Sequence, residues 1–147
     1  MKLAGEVSVR APREQVFNAI KDARFFASCV DGVQDLTEID ATRYAAVFQT
    51  RIAYMTFKFA VTVEMTKTEP PHLIEAKVEG KPMGLVGRFS ATTKTRLSED
   101  GVATRIAYEI DSVLTGKLGS MGQPVLKAKA KEMERTFAAR LKERLES

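Results

Sequence analysis

Tryptophan is absent from the 147-residue sequence, and cysteine and histidine occur once each, as Cys29 and His72. A lone cysteine cannot form an internal disulfide, which is consistent with a reducing cytoplasm. One cysteine and one histidine are also too few for a zinc site of the usual Cys/His type within one chain. We therefore expect neither a disulfide-stapled fold nor a bound metal, and we expect no other cofactor.

Catalytic signatures are equally scarce. The sequence contains no G-x-S-x-G, Walker or G-x-G-x-x-G motif. His72 directly follows Pro70 and Pro71 at the predicted start of a strand, which is typical of a surface residue rather than a general base. Cys29 has no base among its sequence neighbours, so we interpret it as a small buried hydrophobe. The sequence thus offers no candidate catalytic residue.

Long apolar runs are missing too, and none approaches the roughly 18 residues needed to cross a bilayer. The first six residues lack the apolar core of a signal peptide. We therefore expect a cytoplasmic protein with one domain over residues 1–147, since a chain of this length can bury about 70% of its unfolded surface.

The charge is unevenly distributed along the chain. Residues 1–116 hold equal numbers of basic and acidic residues, whereas residues 117–147 hold eight basic and four acidic ones, so the net charge of +4 sits on the terminal segment. One interpretation is a solvated helix face with i,i+4 ion pairs. The other is an edge that makes peripheral contact with an anionic membrane. Nucleic acid is not expected, because no aromatic residues are interleaved with these charges.

The terminal segment itself predicts a loop over residues 116–122, followed by one long helix that ends near Leu145. Pro124 suits a first helical turn. Glu134 falls among the charged residues of the predicted exposed face. The opposite, apolar face recurs at spacings of one, three and four residues and contains Val125, Leu126, Ala130, Met133, Phe137, Leu141 and Leu145.

The rest of the chain is predicted to be mostly strand. A strand over residues 2–10 precedes two short helices, at residues 12–22 and 23–29. Apolar residues then alternate with polar ones over residues 42–53, 55–65, 72–79, 85–97 and 102–114, which is typical of half-buried antiparallel strands. We predict an α+β fold in which a curved antiparallel sheet of about seven strands wraps around the long C-terminal helix.

This arrangement resembles the START-like (SRPBCC) superfamily with its helix-grip fold, and within it the CoxG family, the G-subunit family of carbon monoxide dehydrogenase. The resemblance rests on five motifs in order: APREQVF at 11–17, CVDGV at 29–33, EPP at 69–71, TRIAYEID at 104–111 and GKLGSMG at 116–122. It implies a hydrophobic cavity and an accessory role beside a CO dehydrogenase-type molybdenum hydroxylase. Some relatives carry a C-terminal membrane anchor, which we do not expect here because the sequence ends at Ser147.

Two functions from different classes fit this resemblance. One is a carrier of an apolar small molecule, such as a lipid or an isoprenoid quinone; the other is a cyclase or hydrolase acting on a polyketide-like substrate. An enzyme would need two or more titratable side chains in the cavity, and the predicted inward positions are nearly all apolar, which favours a carrier. A third option is an interaction partner whose own side chains fill the cavity.

We expect access to the cavity between the loop at residues 80–87, the second helix and the loop at residues 116–122, because irregular segments move at the lowest cost. Tyr44 and Tyr108 fall on inward faces, where each hydroxyl needs a partner: it either bonds to the backbone or gives the apolar cavity a polar end. In the second case Tyr108 is the expected polar contact of the ligand. The predicted ligand-binding residues are Phe26, Phe59, Met83, Phe89, Tyr108, Met121, Gly122 and Val125.

Overall fold

The computed structural model describes residues 1–146. Seven strands and four helices follow one another as β1 (Lys2–Val9), α1 (Arg13–Lys21), α2 (Ala23–Cys29), β2 (Val33–Glu38), β3 (Arg43–Ile52), β4 (Met55–Glu69), β5 (Leu73–Pro82), β6 (Phe89–Asp100), β7 (Ala103–Leu114), α3 (Gly116–Gly119) and α4 (Gln123–Leu145). Within this range, no helix is long and apolar enough to span a membrane.

The strands form one antiparallel sheet in the order β1-β7-β6-β5-β4-β3-β2. Each strand presents alternate residues to the side on which α4 lies, and Val7, Phe57 and Ile106 are buried on that side. The opposite side is largely exposed and polar. The predicted architecture is therefore confirmed, including the two short helices after the first strand.

The structure corrects two local predictions and adds one strand. The strand predicted to begin at Leu85 begins at Phe89, because Gly84 and Gly87 adopt positive φ angles and residues 83–88 form a loop. The segment at residues 116–122 contains the helical turn α3 rather than loop alone. The edge strand β2 had no predicted bounds, since its register with β3 is irregular and its alternation is short.

Two separate hydrophobic clusters hold the helix against the sheet. The first contains Leu141, from the last turns of α4, and packs against α1, β1 and β7. The second contains Leu126, from the first turn, and packs against Phe57 and Phe59 of β4 and Leu118 of α3. Leu126 and Leu141 lie about 22 Å apart along the helix, at 1.5 Å per residue. The helix is thus anchored near its two ends.

The middle of the helix packs less tightly. Met133 and Phe137 are half-buried, whereas Leu126 and Leu141 are the helix residues that are fully buried. The backbone of α4 comes closest to α2, β1 and β3, and not to the strands at the centre of the sheet. The tightest contacts of the helix therefore lie at its ends and over the edges of the sheet.

Candidate functional site

Between the two clusters lies a region that we call the central gap. Its side chains face α4 but stay half-buried, and they belong to neither cluster. Because covered side chains keep accessible surface only where space adjoins them, we interpret this region as room between the helix and the middle of the sheet. The gap is lined by Leu3, Tyr44, Ala46, Val63, Ala76, Val78, Thr93, Thr95, Tyr108 and Ile110 of the sheet and by Ala130, Met133 and Glu134 of α4.

Small side chains help to create this space. Ala46 and Ala76 stand on β3 and β5 at positions where a larger side chain would reach toward the helix. Gly5 of β1 lies directly beside Tyr108 in the β1–β7 pairing. The lining is otherwise mainly apolar, which is the usual character of a site for an apolar small molecule.

One polar contact crosses the gap. The Tyr108 hydroxyl donates a hydrogen bond to Oε2 of Glu134, so the sheet and the helix are joined there by a charge-assisted contact. Gly5 makes room for it, because a Cβ atom at that position would collide with both the carboxylate and the phenol. The pair leaves the second carboxylate oxygen of Glu134 able to accept a further hydrogen bond.

The position of Glu134 contradicts the sequence-based assignment, which placed it on the exposed face of the helix. Ala130 and Leu141 lie four residues before and seven residues after Glu134, which is close to one and two helical turns. Glu134 therefore projects beside the apolar stripe. The helical spacing alone would have placed Glu134 beside the apolar face. The sequence-based assignment put it on the exposed face because it is charged.

Further polar groups extend the lining across the sheet. Thr95 pairs with Tyr108, and Thr93 lies one pleat along the same strand. Tyr44 of β3 also faces inward, and burial raises the pKa of its phenol to about 12. Like an ordinary tyrosine, Tyr44 is protonated at neutral pH, and its hydroxyl can act as a hydrogen-bond donor.

The structure divides the predicted ligand-binding residues between several places. Phe26 lies elsewhere, against Phe137 of α4, with ring centroids 5.1 Å apart. Met83 is exposed, and Gly122 caps the start of α4. Tyr108 lines the central gap. The four that come together in the second hydrophobic cluster are Phe59, Phe89, Met121 and Val125.

The single cysteine and the single histidine lie away from the gap lining. Cys29 is buried, and burial raises the pKa of its thiol, so the nucleophilic thiolate is disfavoured. His72 is exposed, with Nε2 3.5 Å from the Glu69 carboxylate. Over residues 1–146, no three His, Cys, Asp or Glu side chains cluster so as to hold a metal ion.

A depression of about 460 Å³ lies on the other side of the sheet, across β1, β7 and β6. Its outward-facing side chains include Glu6, Lys94, Arg96 and Glu109, separated by Ala4 and Ala107. Long charged side chains around small ones form such a solvated groove on a sheet surface. Its charged lining is unlike that of a site for an apolar ligand, so the central gap remains the candidate site.

Comparison with solved structures shows which known folds this chain is similar to. A conserved protein from Geobacillus kaustophilus matches with a TM-score of 0.90 and 23% identity over 99% of this chain and 95% of its own. The Zhui aromatase/cyclase of a Streptomyces species matches with a TM-score of 0.71 and 12% identity over 99% and 93%. Ara h 8.0201 matches with a TM-score of 0.66 and 11% identity over 99% and 97%. At these identities the likeness establishes the START-like, helix-grip fold.

No curated protein gives a significant match. The sequence profile of CoxG, the family described as the G-subunit of carbon monoxide dehydrogenase, matches residues 5–146, which is nearly the whole chain. This range includes all five motifs on which the sequence resemblance rested. The chain therefore belongs to the CoxG family.

Proposed function

We propose that this protein carries an apolar small molecule, lipid-like or isoprenoid-quinone-like, in the central gap. The observation that carries the proposal is the half-buried, mainly apolar lining between two well-packed clusters. Apolar surface of this kind is costly to leave in water, so a ligand that covers it gains free energy at about 25 cal/mol per Å². Since the two hydrophobic clusters already hold α4 against the sheet, the fold does not depend on the ligand.

The lining also favours one orientation of the ligand. Its polar group would lie at Tyr108 and Glu134, and its apolar part would extend along α4 toward Phe59, Phe89 and Met121. Glu134 and Leu126 are separated by about 12 Å along the helix axis at 1.5 Å per residue. A polar head and a hydrocarbon tail would thus meet matching surfaces.

The family description supports a redox setting for this carrier. We propose that it serves a CO dehydrogenase-type molybdenum hydroxylase as an accessory protein, because the family is named for a component of carbon monoxide dehydrogenase. Peripheral contact with an anionic membrane is part of the proposal, since an apolar ligand of this kind partitions into bilayers and the chain is basic.

A cyclase- or hydrolase-type activity is the second candidate. Tyr108 and Glu134 are two titratable side chains that meet in the gap, and a carboxylate beside a phenol can serve as an acid–base pair. One observation favours the carrier: most of the remaining lining is hydrocarbon. Turnover of an apolar polyketide-like substrate that is lost in Glu134→Gln would favour the enzyme.

The direct test is native mass spectrometry of freshly purified protein, followed by lipid extraction. We expect a mass adduct that dissociates on activation and an extract containing an apolar compound with a hydroxyl or carbonyl head. Uptake of the neutral fluorescent probe phenylnaphthylamine should give the same answer in solution. A protein that carries no adduct and takes up no probe would contradict the carrier and favour an interaction module with a filled core.

Glu134→Leu should alter ligand selectivity more than overall affinity. The substitution removes the free carboxylate oxygen, so a long-chain alcohol should compete for the probe about 5- to 10-fold less well, as expected for one lost hydrogen bond of about 1–1.5 kcal/mol. An alkane of equal length should compete as before. The matched control is Glu132→Leu on the exposed face of the same helix. Equal loss for the alcohol and the alkane would show that Glu134 shapes the gap without recognising a head group.

A further inference from the structure

Four large apolar side chains are exposed together at the end of the molecule where α4 begins. We call Tyr54, Met83, Leu85 and Val86 the apolar rim. Their exposed fractions are 79%, 48%, 40% and 89%, respectively. Tyr54 stands at the tip of the β3–β4 hairpin, and the other three belong to the loop between β5 and β6. Scattered exposed hydrophobes are ordinary, but a group on neighbouring loops marks an interaction surface.

Hydrogen bonds fix these loops beside one another. The Met83 amide donates to the Lys58 carbonyl at 2.8 Å, which joins the β5–β6 loop to the first part of β4, four residues beyond Tyr54. The Thr115 amide donates to the Arg88 carbonyl at 2.9 Å, which joins the same loop to the start of α3. Backbone hydrogen bonds therefore connect three segments at the apolar rim: the β3–β4 hairpin, the β5–β6 loop and the start of α3.

The same three segments carry cations and no acids. Residues 51–58, 81–88 and 113–131 contain no Asp or Glu. Within the described chain, one of their cations, Lys129, forms an ion pair, with Glu132. The cations are Arg51, Lys58, Lys81, Arg88, Lys117, Lys127, Lys129 and Lys131.

We infer that the apolar rim and its cations are the surface by which this protein docks on an anionic bilayer. Apolar side chains that enter the interface, surrounded by Lys and Arg facing anionic headgroups, are the physical basis of peripheral membrane binding. Tyrosine is well suited to such a position, because its ring is apolar and its hydroxyl is hydrated. The occupant is lipid, since cations without acids complement a surface that is uniformly negative.

This docking surface differs from the exposed face of the terminal helix that the charge count first indicated. Toward the end of α4, Arg140 lies 3.3 Å from Asp31, and Arg144 donates to Ser28 Oγ at 2.6 Å. These cations are engaged within the protein. At the opposite end of the helix, next to the apolar rim, Lys127 and Lys131 have no ion pair among the described residues.

The position of the rim deepens the membrane-contact part of the proposed function, on which this inference rests. The second hydrophobic cluster, with Phe59, Phe89 and Met121, lies at the same end of the molecule as the rim. A lipid-derived molecule leaving the bilayer at the rim would therefore meet apolar side chains that continue toward the central gap.

The test is sedimentation with vesicles of phosphatidylcholine and phosphatidylglycerol, compared with vesicles of phosphatidylcholine alone. Two double variants address the rim: Leu85→Ser with Val86→Ser, and Lys81→Glu with Lys117→Glu. Their matched controls are Ile39→Ser with Val102→Ser, exposed hydrophobes at the other end of the sheet, and Arg135→Glu with Lys142→Glu on the outer face of α4.

Wild type should bind the anionic vesicles and release them as salt rises, because the Debye length falls from about 10 Å at 0.1 M to 3 Å at 1 M. The Lys→Glu pair should weaken binding by at least roughly 30-fold, because losing each cation costs about fivefold and the two added carboxylates are repelled by the anionic surface. The serine pair should weaken it about tenfold or more. Both controls should retain most of the binding, apart from a small effect of net charge.

Three results would overturn the docking surface: no binding by wild type, equal binding to neutral vesicles, or equal losses in the control variants. Phenylnaphthylamine uptake, measured without vesicles, separates this inference from the carrier proposal. Uptake without vesicle binding would remove the docking surface alone. Vesicle binding without uptake would remove the carrier alone.

Discussion

Replacing Leu141 by alanine should lower the stability of the protein more than any substitution on its surface. Leu141 is fully buried, with no exposed area, and it joins α4 to Val9, Phe17 and Ile106. Leu→Ala changes at such sites cost about 2–5 kcal/mol, because the lost transfer free energy and the cavity add together. For a chain of this size that corresponds to a fall in Tm of roughly 5–15 °C.

The measurement is thermal or urea unfolding followed by circular dichroism, and Leu85→Ala is the matched control. Leu85 is exposed in the β5–β6 loop, so the same chemical change there should cost about 0.5 kcal/mol or less. Equal losses of stability in the two variants would contradict the anchoring of the C-terminal half of α4 in the first cluster.

The architecture was predictable because its signals are periodic. A period of two indicates one face of a strand, as in Phe57, Phe59 and Val61, and a period near 3.6 indicates one face of a helix, as in Ala130, Met133 and Phe137. The apolar face of the sheet then needs a helix long enough to cover it. The start of β6 was not predictable in this way. Leu85 and Val86 are apolar but exposed, and only the positive φ angles of Gly84 and Gly87 explain why the strand begins later.

The candidate site was predictable only in part. Tyr108 was placed correctly on the inward face by its alternation with Arg105 and Glu109. Its partner, Glu134, was not predicted, because a carboxylate next to an apolar stripe is usually solvated. The structure shows that the missing side chain of Gly5 leaves room for the Glu134 carboxylate beside Tyr108. The predicted ligand-binding residues combined inward side chains of strands, such as Phe59 and Phe89, with residues of irregular segments, such as Met83 and Met121. Their apolar character is shared by packed clusters, exposed rims and binding sites alike.

Met133 illustrates why side-chain pattern alone cannot tell a filled core from a binding site. It lies on the same helical stripe as Leu126 and Leu141, yet those two are buried and Met133 is only half-buried. The pattern encodes which face points inward. How far the helix stands from the sheet depends on the clusters at its two ends.

Ala76→Phe should block ligand capture while leaving the fold intact, and we expect it to have the largest functional effect of any single substitution. Ala76 faces the helix from the middle of β5, between Met65 and Thr93 on the neighbouring strands. A phenyl ring there would occupy the central gap and exclude apolar contact worth about 1.5–3 kcal/mol. Phenylnaphthylamine affinity should therefore fall about tenfold or more, since each 1.4 kcal/mol is a factor of ten.

Two readings of the Ala76→Phe variant decide between an open gap and a filled core. In an open gap, the added ring buries apolar surface without strain, so Tm should stay the same or rise. In a filled core, the same ring would overpack its neighbours at a cost of about 1–3 kcal/mol, and Tm would fall. Thr92→Phe, on the exposed side of adjacent β6, is the matched control and should change neither probe affinity nor Tm. Unchanged affinity in Ala76→Phe together with a lowered Tm would place the ligand elsewhere and refute the central gap as the site.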